Sequence, residues 1–161
     1  MQFESKAIRI QSDRSQHKEH STPIFPTSSF TFDNAEQMRA VFAAEEQGNI
    51  YSRFINPNST EFEDKLAALE GTEACYATAS GMSAVFASFM SFLNAGDHVI
   101  ASRAIFGSTY RLFTNWLPKW NISHSFVDGS DVSNWQKAVQ KNTKLLYIET
   151  PSNPGLNIID L

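Results

Sequence analysis

The chain has 161 residues, 42% hydrophobic and 12% aromatic, enough apolar bulk for one buried core and too much for a disordered tail. Thirteen basic residues against 17 acidic ones, scattered in short groups, leave a net charge of -4 and exclude nucleic acid as a partner. With one cysteine, no apolar run of membrane-spanning length and an opening segment too polar for a secretory leader, the sequence reads as a soluble protein of the reducing cytoplasm, with no membrane partner.

The first thirty residues are polar and run into Pro23 and Pro26, which predicts an extended arm without a core of its own. A helix follows, capped by Asp33, with Met38, Val41 and Phe42 on one face and Gly48 beyond its end. The acidic Glu45 and Glu46 fit the end of a helix poorly. Arm and helix make a first region, residues 1–48. Asn49 to Asn58 reads as a loop carrying Tyr51, Arg53 and Pro57. Thr60 and Glu63 then pair as a capping box ahead of Phe62, Leu66 and Leu69, and Gly71 closes that helix.

From here strands and helices alternate. A short strand from Ala74 to Ala77 leads into an apolar helix from Gly81 to Leu93, whose buried face is expected to hold Phe86, Phe89, Met90 and Leu93. Gly96 and Asp97 turn the chain into a strand from His98 to Ala101. A helix over Ser108 to Leu117, a strand from Ile122 to Val127, an Asp131-capped helix with Trp135 and Val139, and a strand from Leu145 to Glu149 complete the pattern. The fold class is therefore α/β, a mostly parallel sheet flanked by helices. Asn157 to Leu161 open an element that stops, which is the pattern of a truncated sheet with an unpaired, aggregation-prone edge.

Three segments carry candidate chemistry. Ala77 to Met82 joins a strand to a helix, where unpaired amides and the helix dipole favour an anion such as a phosphate. Gly81 allows close approach of a ligand, and Ser80 either donates to the phosphate or simply caps the helix; spacing alone favours the plain cap. Tyr51 and Arg53, two apart in an extended segment, share a side and can both donate to one phosphate, although spacing alone favours a surface arginine beside a packed tyrosine. Glu149 to Pro154 follows a hydrophobic strand at the sheet's carboxyl edge, where open α/β sheets bind ligands, and Asn153 there is a candidate to hold a polar group on a ligand ring, although Asn-Pro is also an ordinary turn. His17 and His20 lack ligand-spaced partners, so no metal is expected, and Cys75 reads as core.

Taken together, Tyr51-Ser52-Arg53, Leu69-Glu70-Gly71, Ser80-Gly81-Met82, Gly96-Asp97-His98 and Glu149-Thr150-Pro151-Ser152-Asn153-Pro154 resemble, in order, the Cys/Met-metabolism family of pyridoxal-phosphate enzymes. That resemblance implies pyridoxal 5'-phosphate as cofactor and a fold-type-I transferase fold, with residues 49–161 as the first, incomplete part of the cofactor-binding domain. It implies that Ser80, Gly81 and Met82 cradle the phosphate and that Asn153 bonds the ring's phenolic oxygen, with Glu149, at the same strand end, also among the cofactor-binding residues. Tyr51 and Arg53 are implied to complete the site of a neighbouring subunit in a homo-oligomer, a dimer of dimers, acting on a small amino-acid substrate.

Many members carry a tyrosine on the cofactor face where this chain has Phe106, which can stack on the ring but cannot transfer a proton. The run Phe106-Gly107-Ser108-Thr109 and the opening Glu19-His20-Ser21 resemble the O-succinylhomoserine sulfhydrylase branch, whose members make homocysteine for methionine biosynthesis. Cystathionine γ-synthase and γ-lyase activities stay open as alternatives, as does an inert short chain that acts only by subunit pairing. No lysine stands in the Ser/Thr-rich context of the family's Schiff-base lysine, and Lys144 reads as an edge-strand charge, so the 161 residues alone are expected to be inactive.

Overall fold

The computed structural model describes residues 2–10 and 14–161, which divide into two compact units, Met1–Ala77 and Thr78–Leu161. In the first unit the arm is not wholly extended, because Phe3–Arg9 forms a helix, α1, that buries none of its residues. Helix α2 spans Ala35–Phe42, and its cap is Asn34 rather than Asp33: the Asn34 side chain accepts the Gln37 N–H at 2.9 Å, while Gln37 reaches back to the Asp33 amide at 2.7 Å. This is a reciprocal cap, displaced by one residue from the expected one. Of its expected apolar face only Val41 is buried, while Met38 and Phe42 are exposed. The acidic end is accommodated because Glu45 pairs with Arg39 at 2.8 Å.

Helix α3 runs Pro57–Glu70, its cap Asn56 lying ahead of the expected cap at Thr60, because Asn56 holds the first turn and Pro57 fits there without needing a donor. Glu63 is therefore no capping-box partner of Thr60; its carboxylate takes the Ala77 N–H at 2.7 Å. Gly71 ends the helix in the left-handed conformation (φ 70°), as its position after the last periodic residue predicts. The segment Ala74 to Ala77 is not a strand: among the described residues it has no ladder partner, Tyr76 is exposed and Cys75 only half-buried. A strand exists only through its pairing, and the Ala77 amide goes to Glu63 instead.

The second unit is a three-stranded parallel sheet in the order β2-β1-β3. Helix α4 (Gly81–Phe92) precedes β1 (His98–Ser102), which is buried at every position. Helix α5 (Gly107–Arg111) widens into a π turn over Leu112–Trp116 and tightens into a 3-10 turn over Leu117–Trp120, where Pro118 withholds a donor, before β2 (Ser123–Val127). Asp131 caps α6 (Val132–Ala138), and β3 (Thr143–Tyr147) begins and ends two residues before the expected strand.

Alternation along β1 divides the core. Val99 and Ala101 face one side with Phe89 of α4, its cap residue Leu93, and Leu112, Phe113 and Leu117, whereas Ile100 faces the other with Val127 and Trp135. Phe86 and Met90, expected on the buried face of α4, are 40% and 37% exposed. Helical spacing marks a face, but only Phe89 and Leu93 lie over the sheet.

His98 is fully buried at the amino end of β1 and ties the three strands, its Nδ1 2.8 Å from the Thr143 hydroxyl and its Nε2 3.0 Å from that of Ser125. Burial holds its pKa below the ordinary 6.5, and burial together with His98's charge lowers that of His124. As pH falls below 6.5 the unfolded chain binds protons that the folded one refuses, so stability is complete above 6.5 and declines on acidification. Urea midpoints measured on either side of that pH are expected to fall on the acid side, and His98→Gln is expected to flatten the slope.

Candidate functional site

In the second unit the sheet order reverses at β1, so the crevice at the carboxyl ends of β1 and β3 is where an open α/β sheet places a ligand. Two loops meet there. The chain leaving β1 brings Phe106, the residue before α5, and the chain leaving β3 brings Glu149. Glu149 Oε2 accepts the Phe106 N–H at 2.7 Å, and Oε1 accepts the Tyr147 phenol at 2.9 Å. Burial, and then the bond and charge of Glu149, push the Tyr147 phenol up to about 12, so it stays a protonated donor at neutral pH. The Phe106 ring is 40% exposed.

Helix α4 starts beside this cluster. The buried Thr109 hydroxyl lies 3.9 Å from the Met82 sulfur and also acts on the Tyr147 phenol. Ser80 caps α4, accepting the Ser83 N–H at 3.2 Å, with its own hydroxyl 2.9 Å from that of Ser83. The plain cap is therefore real, and it leaves the Gly81 and Met82 amides without intrahelical acceptors. A methyl group built on Gly81 meets nothing within 4 Å, and the first turn of α4 carries no acidic side chain. Space, free amides and the positive end of the helix dipole together suit a phosphate.

Asn153 is exposed on a loop anchored from below by residues that sequence reasoning passed over. Ser152 is 2% exposed; its backbone N–H reaches Asn157 O at 3.0 Å and its hydroxyl oxygen takes the Asn157 N–H at 3.0 Å. Thr150 Oγ1 likewise accepts the Ile159 N–H at 3.0 Å. Pro151 and Pro154 both follow cis peptide bonds. A cleft of about 350 Å3 between the ends of β1 and β2 is lined by Ser102, Arg103, Asp128, Ser130 and Asn157 among others.

Tyr51 and Arg53 belong to the first unit. Ser29 and Tyr51 form an antiparallel bridge, Ser52 N–H donates to Ser28 O at 2.9 Å, and the Ser52 hydroxyl donates to Thr27 O. So anchored, the loop presents Arg53 with its guanidinium carbon 4.9 Å from the Tyr51 ring centroid, both residues exposed. Among the described residues no group of three His, Cys, Asp or Glu side chains is placed to hold a metal, and no helix is long and apolar enough to cross a membrane.

Residues 4–161 match the family model described as Cys/Met metabolism PLP-dependent enzyme. The chain belongs to that family. Its relatives include an O-succinylhomoserine sulfhydrylase of Pseudomonas aeruginosa, 43% identical over 159 residues, and an L-methionine gamma-lyase of Treponema denticola, 42% identical over 159 residues; each alignment covers 99% of this chain and 40% of the relative. A solved structure described as an O-acetylhomoserine (thiol)-lyase of Campylobacter jejuni superposes with a TM-score of 0.92 at 32% identity, over 99% of this chain and 39% of that one, and carries a pyridoxyl-lysine phosphate. The chain thus spans about 40% of the length of the curated relatives it matches. The fold is that of the PLP-dependent fold-type-I enzymes, with its parallel sheet between helices. Pyridoxal phosphate is the family's cofactor, and the opening of α4 fits its phosphate end: two free amides, open space above Gly81 and no acidic neighbour in the turn.

Proposed function

We propose that this chain is the amino-terminal part of an O-succinylhomoserine sulfhydrylase, which exchanges the succinyl group of O-succinylhomoserine for sulfide to give homocysteine and succinate. The observation that carries this reading is the opening of α4, where the Gly81 and Met82 amides lack intrahelical acceptors and a Cβ at Gly81 meets nothing within 4 Å, beside a cluster that presents the Phe106 ring. The cofactor supplies an electron sink for charge developing on the substrate carbon. Ser80, Gly81 and Met82 hold its phosphate, Phe106 covers one ring face without taking part in proton transfer, and Asn153 holds the ring's phenolic oxygen. Phenylalanine at position 106, together with the 43% identical sulfhydrylase, favours this branch.

Tyr51 and Arg53 complete the phosphate site of a neighbouring copy, so the active protein is a homo-oligomer, a dimer of dimers, in the cytoplasm. Residues 49–161 contribute the first part of its cofactor-binding domain. With no lysine in a Schiff-base context, the 161 residues by themselves do not turn over substrate, and borohydride is expected to trap no cofactor on any one of their lysines. The competing reading is methionine cleavage, favoured by the 42% identical gamma-lyase. A substrate panel on the full-length protein decides between them: sulfide-dependent release of succinate from O-succinylhomoserine is expected, with at most slow release of thiol from methionine. Preferential methionine cleavage refutes the sulfhydrylase assignment.

A further inference from the structure

Glu149 is a charged group whose two oxygens are both spoken for by the protein, one by the Phe106 amide and one by the Tyr147 phenol. A carboxylate so engaged is a poor ligand for a cofactor but a good brace. Phe106 precedes α5, so the negative charge sits at the positive end of that helical run, where it strengthens the bond to the amide. Tyr147 is itself fixed: its ring meets Phe89 edge-on at 5.0 Å and lies 6.0 Å from Phe113, and its phenol also interacts with Thr109, whose hydroxyl is 3.9 Å from the Met82 sulfur. One chain of contacts therefore joins the turn that carries the stacking ring to the turn that opens toward the phosphate.

We propose that Glu149 is a positioning residue: through the Phe106 backbone amide and the Tyr147 phenol it sets the distance and tilt of the Phe106 ring relative to the turn at Met82, without touching the cofactor. The inference rests on the reading of α4 as the phosphate site and adds a role for Glu149, Tyr147 and Thr109. The dependence on position is steep, since misplacement by about 1 Å can cost on the order of a hundredfold in rate.

The test uses the full-length protein and two independent readouts: hydrogen exchange at the Phe106 amide without cofactor, and circular dichroism in the visible band of added pyridoxal phosphate. Glu149→Ala is expected to speed exchange at Phe106 by about tenfold or more, the loss of one charge-assisted bond, and to reduce the cofactor dichroism by at least about half while cofactor affinity stays within about threefold. Glu149→Gln, which still offers an oxygen to the amide, is expected to restore most of both signals. Tyr147→Phe keeps the packed ring, guarding against a variant that fails to fold, and should give a smaller loss of dichroism with a melting temperature near that of the parent.

Unchanged exchange and unchanged dichroism in Glu149→Ala overturn the proposal. So does a loss of affinity as large as the loss of dichroism, since that marks Glu149 as a cofactor ligand. A parent protein that gives no cofactor dichroism at all refutes the phosphate-site reading instead, and the exchange measurement then still decides whether Glu149 braces the turn.

Discussion

Gly81→Asp is expected to weaken pyridoxal phosphate binding by about two orders of magnitude or more while leaving the fold intact or slightly firmer. The two effects have opposite signs because they arise from different neighbours. Within the protein, a Cβ at position 81 meets nothing within 4 Å, so the first atom of the new side chain enters without a clash. It also replaces a glycine inside a helix and puts a negative charge in the first turn of α4, each favourable by about 0.3–1 kcal/mol. Toward the ligand, the same charge lies where the phosphate must approach the Gly81 and Met82 amides. A like charge about 4–5 Å away costs roughly 3–4 kcal/mol at an effective dielectric near 20, and each 1.4 kcal/mol is a factor of about ten in affinity.

Titrating the full-length variant with the cofactor, next to a thermal melt, measures both. Gly81→Ala is the graded control, with melting raised slightly and affinity lowered by about tenfold from the contact of one methyl group, a loss on the order of 1 kcal/mol. Unaltered affinity in Gly81→Asp means that the phosphate does not sit on this turn, and the functional reading falls with it. Unfolding of the variant would instead contradict the open space seen at Gly81.

The sequence already contained the parts of the fold that are set locally. Ser80 before an apolar stretch and Asp131 before Val132 both cap helices as their chemistry dictates, and Gly71 terminates α3 as a left-handed residue must. Alternation of strands and helices was sufficient to predict a parallel sheet. Errors arose where two local signals competed. Asn56-Pro57 is as good a helix start as Thr60 with Glu63, but it lies in a segment whose Asn and Pro content also reads as loop, and the earlier start wins because Asn56 is a buried cap with its own partners at Phe25 and Ser52. The segment Ala74 to Ala77 had the right residues for a strand and, among the described residues, no neighbour to pair with.

The brace around Phe106 was out of reach for a different reason. Glu149 and Phe106 are 43 residues apart, and their contact depends on the register of β3 against β1, with Leu145 opposite Val99 and Tyr147 opposite Ala101. A one-residue slip turns Tyr147 to the other face and removes the donor. Nothing in a local motif carries that register. Tyr51, Arg53 and Asn153 are exposed polar residues that residue type and spacing alone do not separate from ordinary surface, and they stood out only through the family resemblance, whereas Thr109 and Ser152, both buried, look in the sequence like any small hydroxyl residue.

Phe113→Ala is expected to cause the largest loss of stability of any single change considered, about 3–5 kcal/mol, the range for truncating a buried aromatic. Phe113 has no exposed surface and sits among four rings: Phe89 edge-on at 5.1 Å, Phe126 at 5.5 Å, His124 at 5.9 Å and Tyr147 at 6.0 Å. Aromatic pairs of this kind add about 0.5–1.5 kcal/mol beyond area, which places the variant toward the upper end of the range. Against a whole-domain stability of roughly 5–15 kcal/mol, that is about a fifth or more of what holds the unit together. Phe92→Ala, at a residue 66% exposed on α4, is the matched control and is expected to stay within about 0.5 kcal/mol. Urea denaturation of both variants gives the comparison directly, and a Phe113→Ala cost below about 1 kcal/mol would mean that these rings do not form the packed centre seen here. The cavity also reaches the site: Tyr147 is held by Phe89 and Phe113, so loss of Phe113 frees the phenol that Glu149 depends on. Any Phe113→Ala protein that still folds is therefore expected to lose cofactor dichroism as well, by the same route as Tyr147→Phe, so the core of the second unit and its functional turn should fail together.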